Sequence, residues 1–116
     1  MKNYDIIIVG AGAVGMFASY ELTKRPNRAS VLMIEKGRPL EERICPVKTN
    51  QVSNCIQCTP CNMMNGYGGA GALSDGQYNI TTNFGGALHN YIGVDEALSL
   101  MEYVDSVLCA MGGAEA

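Results

Sequence analysis

The sequence predicts an α/β fold that opens on a βαβ unit of a parallel sheet. Three observations predict it. Tyr4–Val9 is a near-continuous apolar run rich in β-branched residues. Gly10-Ala-Gly12-Ala-Val-Gly15 follows it at once. Ser30–Glu35 is a second apolar run, and it ends on a carboxylate.

The first run lacks period-2 alternation, so it reads as a strand buried on both faces. The helix after the glycines places Val14, Phe17, Ala18 and Leu22 on one face at helical spacing. Pro26 and Asn27 stop it. Two strands joined through a helix of this length form a right-handed parallel crossover. Gly37–Ile44 reads as a loop with one helical turn at Leu40-Glu-Glu-Arg43. Residues 37–76 are then a Cys- and Gly-rich loop region. Tyr78–Phe84 is expected as a short strand, broken by Gly85-Gly86. The last element is a helix with Asp95 as N-cap and Glu96 in its first turn. Its apolar stripe is Ala97, Met101, Val104, Leu108 and Met111, and Gly112-Gly113 end it. Residues 1–36, 37–76 and 77–116 are thus the expected divisions. Two parallel strands need neighbours and helices on both faces, so the sheet reads as incomplete and the chain as the N-terminal piece of a larger protein.

The glycine turn has a physical purpose. Gly10 permits a tight turn, Gly12 lets a phosphate approach the backbone, and Gly15 lets helix and strand pack closely. The helix N-terminus adds N–H groups and partial positive charge. Glu35 lies about 20 residues beyond the last glycine, where a carboxylate accepts both hydroxyls of a ribose. Together these predict a dinucleotide site, against the plain alternative of a glycine-rich turn in an ordinary α/β unit. Glu35 repels a 2′-phosphate, although Lys36 and Arg38 beside it are able to pair with one. The segment Asn65–Gly76 is too glycine-rich for a strand or helix interior. It is either a linker or backbone laid against a ligand, with Ser74 and Asp75 as its polar contacts.

Four of the five cysteines, Cys45, Cys55, Cys58 and Cys61, fall within one polar loop. Three explanations compete. They hold zinc or an iron–sulfur cluster, the spacing being a partial match to the ferredoxin run. Alternatively, Cys58-Thr-Pro-Cys61 is a redox pair beside a flavin, or the side chains only pack the loop. Cys109 reads as a buried thiol on the last helix. His89, the single histidine, has no partner that marks it as a general base.

A net charge of −3 excludes the electrostatic footprint of a nucleic-acid binder. The apolar run Ile6–Tyr20 is too short for a bilayer and fits the fold better than a signal peptide. The expected compartment is the cytoplasm, where cysteines stay reduced.

The N-terminal fingerprint followed by Ile34-Glu35-Lys36-Gly37 resembles the two-dinucleotide flavoprotein superfamily. Glu42-Arg43-Ile-Cys45-Pro46, Cys58-x-Pro60-Cys61-Asn62 and Gly66-Tyr-Gly-Gly-Ala-Gly-Ala-Leu-Ser-Asp-Gly76 narrow the likeness. They resemble the N-terminal part of the uncharacterised FAD-dependent dehydrogenases of bacteria. That resemblance implies FAD, an oxidoreductase, and the remainder of the same polypeptide as partner. The expected cofactor contacts are Gly10, Gly12, Ala13, Gly15, Glu35, Lys36, Gly69, Gly71 and Ser74. An NAD-binding domain and a non-enzymatic metal- or thiol-binding protein are the competing functions.

Overall fold

The computed structural model describes residues 2–26, 29–74 and 76–113. The chain divides into two units, Met1–Ser74 and Asp75–Ala116. The βαβ unit and the Cys- and Gly-rich loops therefore fall in one unit. The expectations for Asn27 as helix stop and Asp75 as polar contact lie outside the described residues.

The first unit begins with strand β1 (Ile6–Val9), helix α1 (Ala13–Thr23) and strand β2 (Val31–Ile34). The strands pair in parallel, from Ile6 with Val31 to Val9 with Ile34. A polar clamp sets this register at the strand starts. Asp5 Oδ2 accepts from the Ser30 N–H at 2.8 Å and from its hydroxyl at 2.7 Å. The Asp5 N–H donates back to the Ser30 carbonyl at 3.0 Å. These bonds, the hydroxyl's first, hold the Asp5 carboxyl below its ordinary pKa.

The βαβ prediction is met, with two corrections. Burial alternates along β1, and Ile7 and Val9 are 58% and 83% exposed. One helix covers only one face of a two-stranded sheet, so the expected two-sided burial is absent. The inward face of α1 also differs. Gly15, Ser19 and Leu22 are half-buried, whereas Val14 and Ala18 are exposed. The cause is Gly15: it sits directly on the Gly10 carbonyl and beside Ile8, and that contact fixes the helix rotation. Phe17 and Tyr20 meet edge-to-face, with ring centroids 6.5 Å apart. Helix α1 ends at Thr23, just before Pro26.

Two short 3₁₀ turns follow, Leu40–Glu42 and Gly69–Leu73. The first is the helical turn expected before Arg43. The second was expected to be irregular. Gly68 makes it possible by adopting φ 75° at its start.

The second unit holds α2 (His89–Ile92) and α3 (Val94–Ala110). The short α2 was not anticipated. Between the two helices Gly93 takes φ 87° and occupies the N-cap of α3. Asp95 therefore lies in the first turn with Glu96, where it still complements the helix dipole. No strand forms over Tyr78–Phe84 among the described residues. That segment is polar at Asn79, Thr81, Thr82 and Asn83, and its unit contains no second strand to pair with. Along α3, Ala97 and Val107 are buried while Leu108 and Met111 are exposed. The stripe holds from Ala97 through the half-buried Met101 and Val104, and only in the last turns does Val107 replace Leu108 on the inner face. Its end is as predicted. The Gly113 N–H reaches the Leu108 carbonyl and the Gly112 N–H reaches that of Cys109, with Gly112 at φ 103°.

Among the described residues, the buried apolar side chains are Ala11, Ala97 and Val107 alone. No described helix is long and apolar enough to cross a membrane. The close contact of Gly15 with the Gly10 carbonyl yields a prediction. A β-carbon at position 15 collides with backbone, which has no flexible end to yield. Gly15→Ala is expected to abolish the cooperative thermal transition of the first unit, followed by circular dichroism. An unchanged transition would show that α1 is free to shift off β1.

Candidate functional site

At the carboxyl end of β1 the chain turns at Gly10, φ 98°, and enters α1 through Gly12. The first intrahelical bond runs from the Met16 N–H to the Gly12 carbonyl at 2.9 Å. No side chain caps this helix. The N–H groups of Ala13, Val14 and Gly15 precede the hydrogen-bond ladder and present positive dipole ends. A β-carbon at Gly12 would meet no protein atom within 4 Å. Its φ of −72° is open to any residue, so the protein itself gives no reason for glycine there. The backbone there is open to the outside, the geometry expected where a phosphate group approaches. Beside it lies a shallow cavity of about 390 Å³ lined by Ile8, Val9, Gly12, Ala13, Val14 and Ala18. A second cavity, of about 330 Å³, sits at the opposite end of the unit around Ile6, Leu22 and Arg25, away from the glycine turn.

Glu35 follows β2 and is half-buried. Its Oε2 accepts from the Ala11 N–H at 2.7 Å. Its Oε1 accepts from the N–H groups of Gly37 at 2.8 Å and Gly66 at 3.0 Å. The bond from Ala11, then that from Gly37, holds its carboxyl below the ordinary value against partial desolvation. Glu35 was expected to serve a ribose. It also ties the glycine turn to the second glycine segment. A carboxylate has about four lone-pair sites; three take these bonds, and the Lys36 N–H also bears on the carboxylate. That leaves no room for both hydroxyls of a ribose.

The second segment is brought onto the first. The Gly68 N–H donates to the Ala11 carbonyl at 2.8 Å. A β-carbon at Gly69 would lie 3.4 Å from Gly12 Cα. Of the residues expected to bind, Gly10, Gly12, Ala13, Gly15, Glu35 and Gly69 therefore converge. Lys36 is exposed next to Glu35. Gly71 and Ser74 do not join the cluster through any described contact. They close the 3₁₀ turn on each other, with the Ser74 hydroxyl donating to the Gly71 carbonyl at 2.8 Å.

Arg43 organises this arrangement; sequence reasoning placed it in a helical turn and in the motif of the resemblance, with no role of its own. It is 5% exposed. Its guanidinium donates to the carbonyls of Asn62 at 2.9 Å, Met63 at 2.9 Å, Tyr67 at 3.0 Å and Gly69 at 2.8 Å. No carboxylate among the described residues pairs with it. Gly66 packs against its stem, since a β-carbon there would lie 2.7 Å from Arg43 Cδ. Gly37 is equally constrained, because a β-carbon would collide with the backbone of Asn65 and Gly66. The signals available in the sequence were the glycine right after Glu35-Lys36 and an arginine at the head of a loop dense in glycine and polar residues.

The cysteines do not form the expected metal centre. Among the described residues no three His, Cys, Asp or Glu side chains gather to hold an ion. All five cysteines are free thiols. The loop that carries them is folded by backbone turns of its own. The Cys45 carbonyl accepts from Thr49 at 3.1 Å, and the Cys61 carbonyl accepts from Asn65 at 2.9 Å. Cys58 and Cys61, the suggested redox pair, are both half-buried and not bridged to each other. His89 starts α2 in the second unit and is half-buried.

The lowered Glu35 pKa gives a pH dependence of known sign. A carboxyl held below its unfolded value stabilises fully above about pH 4.3, the ordinary glutamate value. That contribution is lost as pH falls through the lower folded-state value. Amide-exchange protection of Ala11 and Gly66 is expected to hold down to about pH 4.3 and then decline. Glu35→Gln is expected to remove that acid step. The same step persisting in the variant would assign it to another carboxylate, such as Asp5.

A family model described as an NAD(P)-binding Rossmann-like domain matches residues 8–40. That span runs from within β1 through the glycine turn, α1, β2 and Glu35 into the first 3₁₀ turn. No curated protein and no solved structure is a significant match to the chain. Geometry and family match agree on the same residues: the N-terminal unit is a Rossmann-like βαβ unit, similar over residues 8–40 to NAD(P)-binding domains.

Proposed function

We propose that this chain holds the ADP half of FAD and is part of an FAD-dependent oxidoreductase of the cytoplasm. The observation that carries the reading is Gly12: a residue with no internal need to be glycine, standing open before an uncapped helix N-terminus. The N–H groups of Ala13, Val14 and Gly15 would hold the pyrophosphate, and Glu35 Oε2 would accept one ribose hydroxyl. Glu35 disfavours a 2′-phosphate on that ribose. The choice of FAD over NAD rests on the Cys- and Gly-rich block from Glu42 to Gly76, through its resemblance to FAD-dependent dehydrogenases. Bound FAD would supply hydride transfer through its ring system, the protein's part being to bind and orient it.

The exposed Ile7, Val9 and Val14 are the surface a βαβ unit presents to further strands and helices. We read further polypeptide of the same protein as their cover. NAD is the second reading, favoured by the description of the matching family.

Purified protein denatured under mild acid is expected to release a yellow flavin. Titration of the emptied protein is expected to show binding of FAD and ADP in preference to NAD. Binding of NAD without FAD would decide for the second reading, and no binding of any adenine nucleotide would sink both. Gly12→Ala is expected to weaken ADP binding about tenfold or more, roughly 1.4 kcal/mol, while leaving the melting temperature unchanged. A lowered melting temperature with unaltered ADP affinity would make Gly12 a folding residue.

A further inference from the structure

We infer that Arg43 is a positioning residue for the nucleotide site, acting through the loop Asn62–Gly69 that it holds against the glycine turn. The inference rests on the dinucleotide reading of that site.

The path is continuous in hydrogen bonds. Arg43 grips the carbonyls of Asn62, Met63, Tyr67 and Gly69. Those grips set the backbone between them. Gly66 then reaches Glu35 Oε1 at 3.0 Å, and Gly68 reaches the Ala11 carbonyl at 2.8 Å. Glu35 in turn receives the Ala11 N–H, which sits inside the glycine turn itself. The loop therefore fixes the turn from both sides of one residue, through the Ala11 N–H, by way of Glu35, and the Ala11 carbonyl. Of the residues expected to face the ligand, Arg43 touches only Gly69, through its carbonyl. Its stem lies behind Gly66, where the tight contact leaves no slack.

Two demands meet on one carboxylate. The loop occupies Oε1, and the ribose would use Oε2. A carboxylate is rigid, so a loop that holds one oxygen aims the other. Whatever docks the loop raises nucleotide affinity, and by linkage the nucleotide must hold the loop by the same factor. The fork geometry of the guanidinium is essential to this, because four carbonyls lie around one planar group. A lysine keeps the charge but offers a compact ammonium with three donors.

Two measurements on the full chain test the inference, both with ADP as probe. In the wild type, saturating ADP is expected to slow amide exchange at Gly66 and Gly68 about tenfold, a coupling in the usual range. Amides of α3 are expected to stay as they were. In Arg43→Lys the dissociation constant for ADP is expected to rise about tenfold. Arg43→Met is expected to do at least as much. Full rescue by lysine would show that only the charge matters, and would overturn the inference. So would Gly66 and Gly68 exchange that is indifferent to ADP, a result that needs no variant to fold. Failure of the wild type to bind ADP at all would instead remove the dinucleotide reading on which the inference stands.

Discussion

The first unit depends on one buried cation. Arg43 is nearly inaccessible, has no carboxylate partner among the described residues, and is solvated by four backbone carbonyls instead of water. A charge in that position is expensive unless its donors are satisfied. Here the satisfaction comes from peptide groups spread over Asn62 to Gly69, so the loop must adopt one path to supply them. The constraint runs in both directions. The carbonyls need a donor because they point inward, and the guanidinium needs acceptors because it is buried. This reciprocity does the work that apolar packing does elsewhere. Among the described residues only one apolar side chain in this unit, Ala11, is buried. Small units of this kind need such supports because a thin core gives little stability on its own.

Glu35 answers Arg43 with the opposite charge and the opposite kind of partner. It collects backbone N–H groups from Ala11, Gly37 and Gly66, as Arg43 collects carbonyls. The two side chains never pair with each other. Each ends a set of peptide dipoles, and the glycine segments lie between them. That is why glycine recurs. At Gly15, Gly37 and Gly66 a β-carbon would strike backbone or the arginine stem, so these glycines serve the fold. At Gly12 and Gly71 it would strike nothing. Gly12 stands at the helix N-terminus, where the proposed nucleotide would account for it, whereas Gly71 lies in the 3₁₀ turn, and nothing in the structure explains it.

What was legible in the sequence was whatever depends on near neighbours. The strand–glycine–helix–strand order, the stop before Pro26 and the Gly112 cap each follow from a few adjacent residues. The acid at the end of β2 was legible too, but its share in holding Gly66 was not, because that bond spans 31 positions. Arg43 was read as the end of a turn, since nothing local announces that its partners lie 19 to 26 residues away. The strand over Tyr78–Phe84 failed for a related reason. Strand propensity needs a partner strand, and no property of the segment itself supplies one. The burial of β1 was over-read because a β-branched run reports suitability for two-sided burial, not the presence of both covers.

The cysteine loop shows how the same hub reaches beyond the nucleotide site. Asn62 Nδ2 donates to the Ile44 carbonyl at 2.6 Å. That bond closes residues 45–61 at their base, so all four loop cysteines lie inside one closed excursion. Both sides of the closure carry Arg43 contacts: Ile44 follows it directly, and the Asn62 carbonyl is one of its acceptors. The excursion is long, and loop-closure entropy grows only slowly with length. Its base therefore needs few bonds to hold it, and they are the bonds nearest the guanidinium. The Cys61 carbonyl, inside the excursion, also accepts from the N–H groups of Met64 and Asn65, so the loop is bonded to the segment that Arg43 holds. The thiols and the dinucleotide unit thus share a mechanical support even though no thiol contributes a described contact to the glycine turn.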